Sequence, residues 1–276
     1  MNTLEAMGRS VGTPGEKSPK RPLSAPFTPL FLGDCLQVLF IHYEVNADVL
    51  ARLVPFELDL FQGRAFVSLV AFTMRRLRPS FGGFPAWALF APISTHRFLN
   101  VRTCVRRAGE TGIYFISEFV SNRLCVPLGR PTFGLPYRFA RLTCQHLQET
   151  GNIAGEVKTA GGTLGVRFDG AMNPHAALQI CRRDSLEEFL LERYTAFTAR
   201  RERRRLFRIW HEPWLHRDVS ANVNDAGLLA STGEWWAEAR LIGANFSPGV
   251  RDVCIGRPHK LTERRPRRRL TVFFDV

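Results

Sequence analysis

The sequence Gly129–Arg141, GRPTFGLPYRFAR, is the stretch on which our interpretation of the fold depends. Its first eight residues contain two glycines and two prolines. This pattern predicts a turn, because proline fixes its φ angle and glycine can adopt the positive φ angles that turns need. The turn would deliver Tyr137 and Arg138 to a fixed place at the start of the strand-like run FARLTCQHLQ. A predicted hairpin precedes this stretch, and a series of short predicted strands follows it.

The composition indicates a globular protein with a substantial core. The chain has 276 residues, of which 45% are apolar, and 22 of them are phenylalanine. No apolar run approaches the roughly 20 residues that span a bilayer. The six cysteines are far apart and never form C-x-x-C, so we expect free thiols and a cytoplasmic location.

The ends of the chain differ in composition from its middle. Residues 1–26 are rich in Gly, Pro, Ser and Lys and are predicted to be a disordered basic tail. Residues 27–260 are expected to form a single domain, and residues 261–276 a basic C-terminal tail. Much of the net charge of +13 lies in two Arg-rich runs, Arg200–Arg208 and Arg264–Arg269. These runs could make non-specific contacts with nucleic acid or acidic surfaces, or simply be solvated.

The first part of the domain reads as strands with one short helix. A strand is predicted over Leu36–Val45, then a helix that begins at the N-cap Asp48 and ends at Pro55. The run Ala65–Leu77 has little polarity on either face and predicts a strand covered on both sides. Residues 78–95 lack periodicity and predict a long loop, whose aromatic residues could cover a cavity: Phe81, Phe84, Trp87 and Phe90.

Residues 97–120 contain the strongest hairpin pattern in the chain, with a turn at 108–112. Alternation places Asn100, Arg102 and Cys104 on one face of the first strand. On the second strand it places Ile113, Phe115 and Ser117 opposite the set Tyr114, Ile116 and Glu118. Asn100 and Arg102 inside a strong strand indicate a polar cavity or a paired cation.

Later segments continue the β-rich pattern. Strands are predicted over Glu156–Thr159 and Thr163–Phe168, and a final hairpin over 235–255. One long helix, DSLEEFLLERYTAFTARR, is predicted over 184–201 with Ser185 as N-cap and Glu188 completing a capping box. The predicted fold class is α+β and β-dominated, a barrel or coiled antiparallel sheet with a few flanking helices.

Several stretches, taken in order, resemble the YqjF-like family of uncharacterised proteins within the acetoacetate decarboxylase-like superfamily. They are DLFQGRAFVSLVAF, NVRTCVRR with its hairpin, FGLPYRFARL, LEEFLLERY, HEPW and FSPGV, and together they span about residues 30–260. The resemblance implies a β-rich barrel with an interior pocket. It also shows a departure, since Phe98 stands where the family commonly has an acidic residue.

The stretch Gly129–Arg141 is also similar to the GRE-x-x-G-x-P-K-K segment of acetoacetate decarboxylases, where the lysines carry Schiff-base chemistry. Tyr137 and Arg138 stand in their place. The chain has only four lysines, none of them in this stretch: Lys17, Lys20, Lys158 and Lys260. Arginine stays protonated and cannot act as an amine nucleophile, so Schiff-base decarboxylation is not expected.

The candidate ligand-binding residues follow from these patterns. Arginines suit a carboxylate or phosphate, although they could instead pair with Glu118, Glu192 or backbone carbonyls. Tyr137 could donate a hydrogen bond or move a proton, or be a buried tyrosine with a satisfied hydroxyl. The full candidate set is Asn100, Arg102, Glu118, Arg130, Tyr137, Arg138, Arg193 and Tyr194.

No motif predicts a metal or cofactor. The histidines are scattered, with no H-x-H or H-E-x-x-H, and no phosphate loop or dinucleotide fingerprint is present. We therefore expect no cofactor and no metal site. The sequence predicts a barrel that binds or transforms a small anionic or carbonyl compound between the hairpin and the stretch 129–141. A non-catalytic ligand-binding or structural barrel, or weak nucleic-acid binding, remain alternatives.

Overall fold

The computed structural model describes residues 27–147 and 150–261. The predictions for residues 1–26 and 262–276 lie outside the described residues. The described helices are α1 (Ala47–Leu53), α2 (Gly83–Phe90), α3 (Cys125–Phe133) and α4 (Leu186–Leu191), with 3₁₀ turns at Ala91–Ile93, Ala230–Thr232 and Glu234–Trp236. The described strands are β1 (Pro29–Val45), β2 (Glu57–Leu58), β3 (Ala65–Pro79), β4 (His96–Arg107), β5 (Glu110–Val120), β6 (Tyr137–Leu147), β7 (Asn152–Thr159), β8 (Gly165–Ala171), β9 (Thr195–Arg200), β10 (Arg203–Trp210), β11 (Arg217–Ala226), β12 (Arg240–Gly256) and β13 (His259–Lys260).

These strands form one 13-stranded sheet in the order β13-β10-β9-β5-β6-β7-β8-β11-β12-β1-β3-β4-β2. Two additional pairings, β10 with β12 and β5 with β4, bring the sheet round on itself, so that it is barrel-like. Strand β5 pairs parallel with both β6 and β9, whereas its pairing with β4 is antiparallel. The predicted β-dominated α+β class is confirmed.

The two long strands β1 and β3 carry apolar residues on both faces. Leu39 and Ile41 belong to the main core, together with Leu69 of β3. Phe40, between them on β1, packs on the opposite face in a second cluster with Phe66. The prediction that the strand beginning at Ala65 is covered on both sides is therefore confirmed, and the opposite face of the sheet is the one that carries the candidate site.

The long helix predicted over 184–201 is wrong beyond its first two turns. Helix α4 ends at Leu191, and β9 begins at Thr195. The predicted cap is confirmed, because Ser185 Oγ accepts the Glu188 N–H at 3.2 Å. The run TAFTAR is rich in β-branched and aromatic residues, and its pairing with β10 outweighs the helical spacing that continues from α4.

The loop predicted over 78–95 is also wrong. Strand β3 continues to Pro79, and α2 and the 3₁₀ turn Ala91–Ile93 occupy most of the remainder. The sequence GFPAWALF lacks helical periodicity because none of the residues of α2 is buried, so no apolar stripe distinguishes one face from another. Phe81, Phe84 and Trp87 are exposed, whereas Phe90 is partly buried beside the 3₁₀ turn.

Three local predictions are corrected. The N-cap of α1 is Asn46, whose Oδ1 accepts the Asp48 and Val49 N–H groups, not Asp48 itself. The predicted final hairpin is one continuous strand, β12, because its partners β1, β10 and β11 supply long-range pairing along its length. The first half of the predicted turn at Gly129–Arg141 is the end of helix α3, which is capped by Gly134 with φ 76°.

A β-bulge changes which residues of β5 share a face. Val101 pairs with Ser117, but Arg102 pairs with Phe115, so Ile116 is the extra residue. The predicted alternation, which grouped Glu118 with Tyr114 and Ile116, is therefore wrong. The bulge places Glu118 on the same side of the sheet as Phe115, where both line one cavity.

Candidate functional site

A row of directly paired residues crosses the sheet and leads to the candidate site. Phe40 pairs with Val70, Val70 with Asn100, Asn100 with Glu118, and Glu118 with Tyr137. Side chains of directly opposite residues lie on the same face of a sheet. The row therefore changes from apolar on β1 and β3 to polar on β4, β5 and β6.

The polar end of this row opens into a partly open cavity of about 250 Å³. The cavity lies between the hairpin β4–β5 and the segment from α3 to Tyr137, which is where the sequence predicted a pocket. Its walls are mostly apolar, and they include Phe31, Met74, Phe98, Phe115, Phe133, Phe207 and Ile255. The polar side chains among them are few, a combination that is typical of small-molecule sites.

Glu118 is the least expected residue of the cavity wall. It is 3% exposed, and its Oε2 has no hydrogen-bond partner among the described residues. No described basic side chain lies within ion-pair distance of it. Burial raises the pKa of the Glu118 carboxyl well above its usual value, which favours the protonated form, a hydrogen-bond donor.

Tyr137 lies beside Glu118 at the first position of β6. Its pKa is raised by burial and by the neighbouring Glu118, which keeps the hydroxyl protonated. The Arg130 guanidinium donates from Nε and Nη2 to the Tyr137 backbone oxygen, at 3.1 and 2.7 Å. Gly129 fits against the ring, because a Cβ at that position would overlap it. Helix α3 thus holds Tyr137 in place.

His96 is a third polar group of the cavity, and the sequence analysis missed it. Its Nδ1 lies 2.9 Å from the Ile93 carbonyl oxygen, to which it donates, and the residue is 5% exposed. Burial lowers the pKa of His96 to about 4, so the ring is neutral at physiological pH. The signal for it was present, because His96, Phe98 and Asn100 alternate along β4 and share a face.

Phe98 connects these groups physically. Its ring is stacked on Phe72 at 4.9 Å and contacts both His96, at 4.7 Å, and Tyr137, at 5.7 Å between ring centroids. The position at which the family commonly has an acid is thus an apolar wall of the cavity. The buried carboxylic acid of the site comes instead from Glu118, on the neighbouring strand.

Asn100 and Arg102 lie on the same face but outside the lining of the cavity. Asn100 is 7% exposed, and its Oδ1 has no hydrogen-bond partner among the described residues. Arg102 is partly buried over the ring of Phe40, and its Nη2 donates to the Leu190 carbonyl at 3.1 Å. Burial lowers the pKa of Arg102 to about 10, which leaves it charged at neutral pH.

Arg193 and Tyr194 lie at a different place, an open groove beside α4. Arg193 forms a buried ion pair with Asp59, with 2.7 Å between Nη1 and Oδ2. The Tyr194 hydroxyl donates to Glu192 Oε2 at 2.5 Å, and its ring stacks on His211. Both side chains therefore have partners within the protein, and the structure does not bring them to Tyr137.

The remaining candidates are on the surface. Arg138 follows Tyr137 on β6 and is exposed. The basic run Arg200–Arg208 comprises the last residue of β9, the turn at 201–202 and most of β10, rather than the connection after a helix. Within it, Arg205 donates to the Pro131 and Thr132 carbonyls, and Arg208 pairs with Glu110. The run 264–269 lies outside the described residues.

Two further features of the described residues bear on function. No group of three or more His, Cys, Asp or Glu side chains within 27–147 and 150–261 could hold a metal ion. Of the two lysines in this part of the chain, Lys158 pairs with Glu156 at 2.9 Å and Lys260 is exposed on β13. Neither lines the cavity. Among the described helices, none has the length and apolar character to cross a membrane.

The profile of an uncharacterised conserved protein family, DUF2071, matches residues 35–250. The chain belongs to the DUF2071 family. It is 32% identical over 189 residues to the uncharacterised protein YqjF of Bacillus subtilis strain 168, covering 68% of this chain and 75% of that protein. The resemblance of the sequence to the YqjF-like family is therefore confirmed.

The fold is similar to that of acetoacetate decarboxylase-like enzymes. The acetoacetate decarboxylase of Legionella pneumophila superposes with a TM-score of 0.61 over 93% of this DUF2071 chain and 98% of its own, at 14% identity. The enduracididine biosynthesis enzyme MppR, in complex with pyruvate, superposes with a TM-score of 0.57 over 87% and 93% of the two chains, also at 14% identity. At this identity the likeness shows the shared fold.

Proposed function

We propose that this DUF2071 protein binds a small carbonyl compound in the cavity between the β4–β5 hairpin and the stretch 129–141. The observation that carries the proposal is the buried Glu118 Oε2, which has no partner among the described residues and lines the same cavity as its strand partner Tyr137. A buried polar group without a partner costs about 1–3 kcal/mol. A carbonyl oxygen that accepts hydrogen bonds from both groups would remove that cost.

The character of the cavity favours a neutral carbonyl over a free anion. No described arginine or lysine lines it, and a protonated carboxylic acid donates a hydrogen bond without providing positive charge. An anion would also hold its charge in an apolar space, which is unfavourable without a cation. Of the two ligand classes that the sequence left open, the carbonyl class is the one that the lining supports.

The absence of a lysine from the described lining argues against Schiff-base chemistry here. Tyr137 occupies the strand position that a lysine occupies in the sequence pattern of acetoacetate decarboxylases. A phenol cannot form an imine but can donate a hydrogen bond to a carbonyl oxygen. Fold likeness alone does not transfer an activity, so MppR with its bound pyruvate supports the proposal only as a precedent for a carbonyl compound in this fold.

The test is thermal unfolding against a series of small ketones, 2-keto acids and carboxylates. A compound that binds only the folded protein stabilises it by about 2.7 kcal/mol at a hundredfold excess over Kd. We expect ketones to stabilise the wild type and the shift to shrink in Tyr137→Phe. Tyr114→Phe is the matched control, since Tyr114 packs against Phe56 on the opposite face. No ketone-dependent shift in the wild type would overturn the proposal.

A further inference from the structure

His96 presents one ring nitrogen to the cavity in a defined protonation state. Its Nδ1 donates to the Ile93 carbonyl at 2.9 Å, which places the proton of the neutral ring on that nitrogen. No hydrogen bond joins Nε2 to any residue in 27–147 or 150–261, and His96 lines the cavity. The ring therefore offers an unshared electron pair on Nε2.

The two neutral donors of the cavity are close to this histidine. Phe98 contacts the rings of both His96 and Tyr137, and Glu118 pairs with Tyr137 across β5 and β6. One acceptor and two O–H donors thus line one small, mostly apolar cavity. Ketosteroid isomerase forms its dienolate with a related combination, an aspartate base beside the substrate carbon and a tyrosine with a protonated carboxylic acid at the oxygen.

We propose that the site catalyses enolisation, with His96 Nε2 removing a proton from the carbon next to the carbonyl while Tyr137 and Glu118 donate hydrogen bonds to the carbonyl oxygen. The inference rests on the proposed binding of a carbonyl compound in the same cavity. It assigns a role to His96, and it names the substrate class as a small ketone with an acidic α-carbon.

The step is balanced without an added oxidant or reductant. The α-C–H bond breaks, its proton forms the N–H bond of the His96 imidazolium, and its electron pair forms a C=C bond to the carbonyl carbon. The C=O π pair moves to the oxygen, where Tyr137 and Glu118 stabilise the negative charge. The imidazolium then returns the proton to the α-carbon, or to the γ-carbon when the ketone carries a β,γ double bond.

Two probe reactions test the step. The first is conversion of 3-cyclohexen-1-one into 2-cyclohexen-1-one, followed by the absorbance of the conjugated enone. The second is loss of the α-proton signals of cyclohexanone in D₂O, followed by NMR. Both probes are needed because His96 could return the same proton before it exchanges with D₂O. Isomerisation would then be seen, whereas no deuterium would enter the ketone. Binding of each ketone is measured separately by its thermal shift.

The variants separate the base from the donors. We expect His96→Asn, whose amide can still donate to Ile93, to lower both rates by about 10²-fold or more while the thermal shift remains. Tyr137→Phe should lower both rates by about 10²–10³-fold, and residual binding keeps its rate measurable at saturation. His146→Asn is the control, because His146 lies on β6 outside the cavity lining and should leave both rates unchanged.

The wild type supplies a test that does not depend on a variant folding. Beside His96, the titratable groups that line the cavity are Glu118 of β5, Cys125 of α3 and Tyr137 of β6, whereas β1, β3, β10 and β12 contribute only apolar side chains. Burial lowers the pKa of His96 to about 4 and raises that of Cys125 to about 11. The rate should fall as the pH drops toward 4 and fall again where Glu118 ionises.

The outcomes distinguish the two proposals. Ketones that bind without isomerisation or exchange above the buffer rate overturn the enolisation and leave the binding proposal intact. Rates that persist in His96→Asn overturn the role of His96. Failure of every ketone to bind overturns both proposals.

Discussion

Glu118 and Tyr137 are paired residues at the parallel junction of β5 and β6, and the buried Glu118 Oε2 has no hydrogen-bond partner among the described residues. The junction is held by the Glu118 N–H, which donates to the Pro136 carbonyl at 3.4 Å. A carboxylic acid and a phenol thus lie side by side in an apolar cavity, and burial raises the pKa of both. Their chemistry is that of two neutral donors.

Replacing Glu118 by Gln should change how stability depends on pH. Because burial raises the pKa of Glu118 in the folded protein, its contribution is fully present below the unfolded value of 4.5 and is lost as the pH rises toward the folded pKa. The free energy of unfolding of the wild type should therefore fall relative to Glu118→Gln, by at most about 1.4 kcal/mol per pH unit. Urea unfolding of both proteins between pH 4 and neutrality measures this, and parallel curves would contradict it.

Replacing Gly129 by Ala should destabilise the protein and disturb the site. Alanine improves helix propensity by about 1 kcal/mol. The new Cβ would overlap the Tyr137 ring, and such overpacking costs about 1–3 kcal/mol. We expect a net loss of about 1 kcal/mol in urea unfolding and weaker ketone binding. Gly161→Ala is the control, because only Thr163 Oγ1 lies within 4.0 Å of a Cβ there. Equal effects of the two substitutions would refute the proposed fit of Gly129 against Tyr137.

Replacement by Met should lower the free energy of unfolding much more at Arg193 than at Arg102. Arg193 is bound to Asp59 in a buried ion pair, and removing it leaves that carboxylate unpaired, at a cost of about 3 kcal/mol. Arg102 makes one hydrogen bond, to the Leu190 carbonyl, and no described carboxylate lies within ion-pair distance of it. Methionine there should change the free energy of unfolding by less than about 1 kcal/mol. Thermal unfolding compares the two variants, and a large loss in Arg102→Met would show that the guanidinium is structurally required.

Two arginine–carboxylate pairs should contribute differently to the free energy of unfolding because their burial differs. Asp34 is 4% exposed and accepts Arg76 Nε at 2.6 Å and the Asp252 N–H at 3.0 Å. Burial raises the pKa of Asp34, but these bonds outweigh it and the net shift is downward, so the contribution is lost as the pH falls below about 3.8. We expect Asp34→Ala to cost about 2 kcal/mol at neutral pH.

The exposed pair Glu57–Arg106 is the comparison for Asp34. Its side chains are 63% and 52% exposed, although the oxygen–nitrogen distance is only 2.5 Å. Glu57→Ala should therefore cost less than about 1 kcal/mol in the same urea titration. A larger loss for Glu57→Ala than for Asp34→Ala would contradict the dependence on burial.

The sequence by itself determined the class of the fold and the two sides of the cavity. Alternation over 97–120 specified a hairpin, and the run from Ala65 specified a strand buried on both faces. The stretch 129–141 was predicted to be a turn that delivers Tyr137 to a fixed place, although its first half is helix α3. These are local properties, since hydrophobic period and turn chemistry act over a few residues. The sequence also shows that Tyr137 stands where acetoacetate decarboxylases have a lysine, so the amine needed for a Schiff base is missing at that position.

Tertiary structure decided what the local pattern could not. The run after Leu191 has helical spacing, but the backbone partners offered by β5 and β10 make it strand β9. The extra residue at Ile116 depends on the register between β4 and β5, and it alone moves Glu118 to the face of Tyr137. His96 joins them because Ile93 fixes its ring. Local alternation along β4 can place His96 on the face of Asn100, but only register and long-range pairing bring His96, Glu118 and Tyr137 around one cavity.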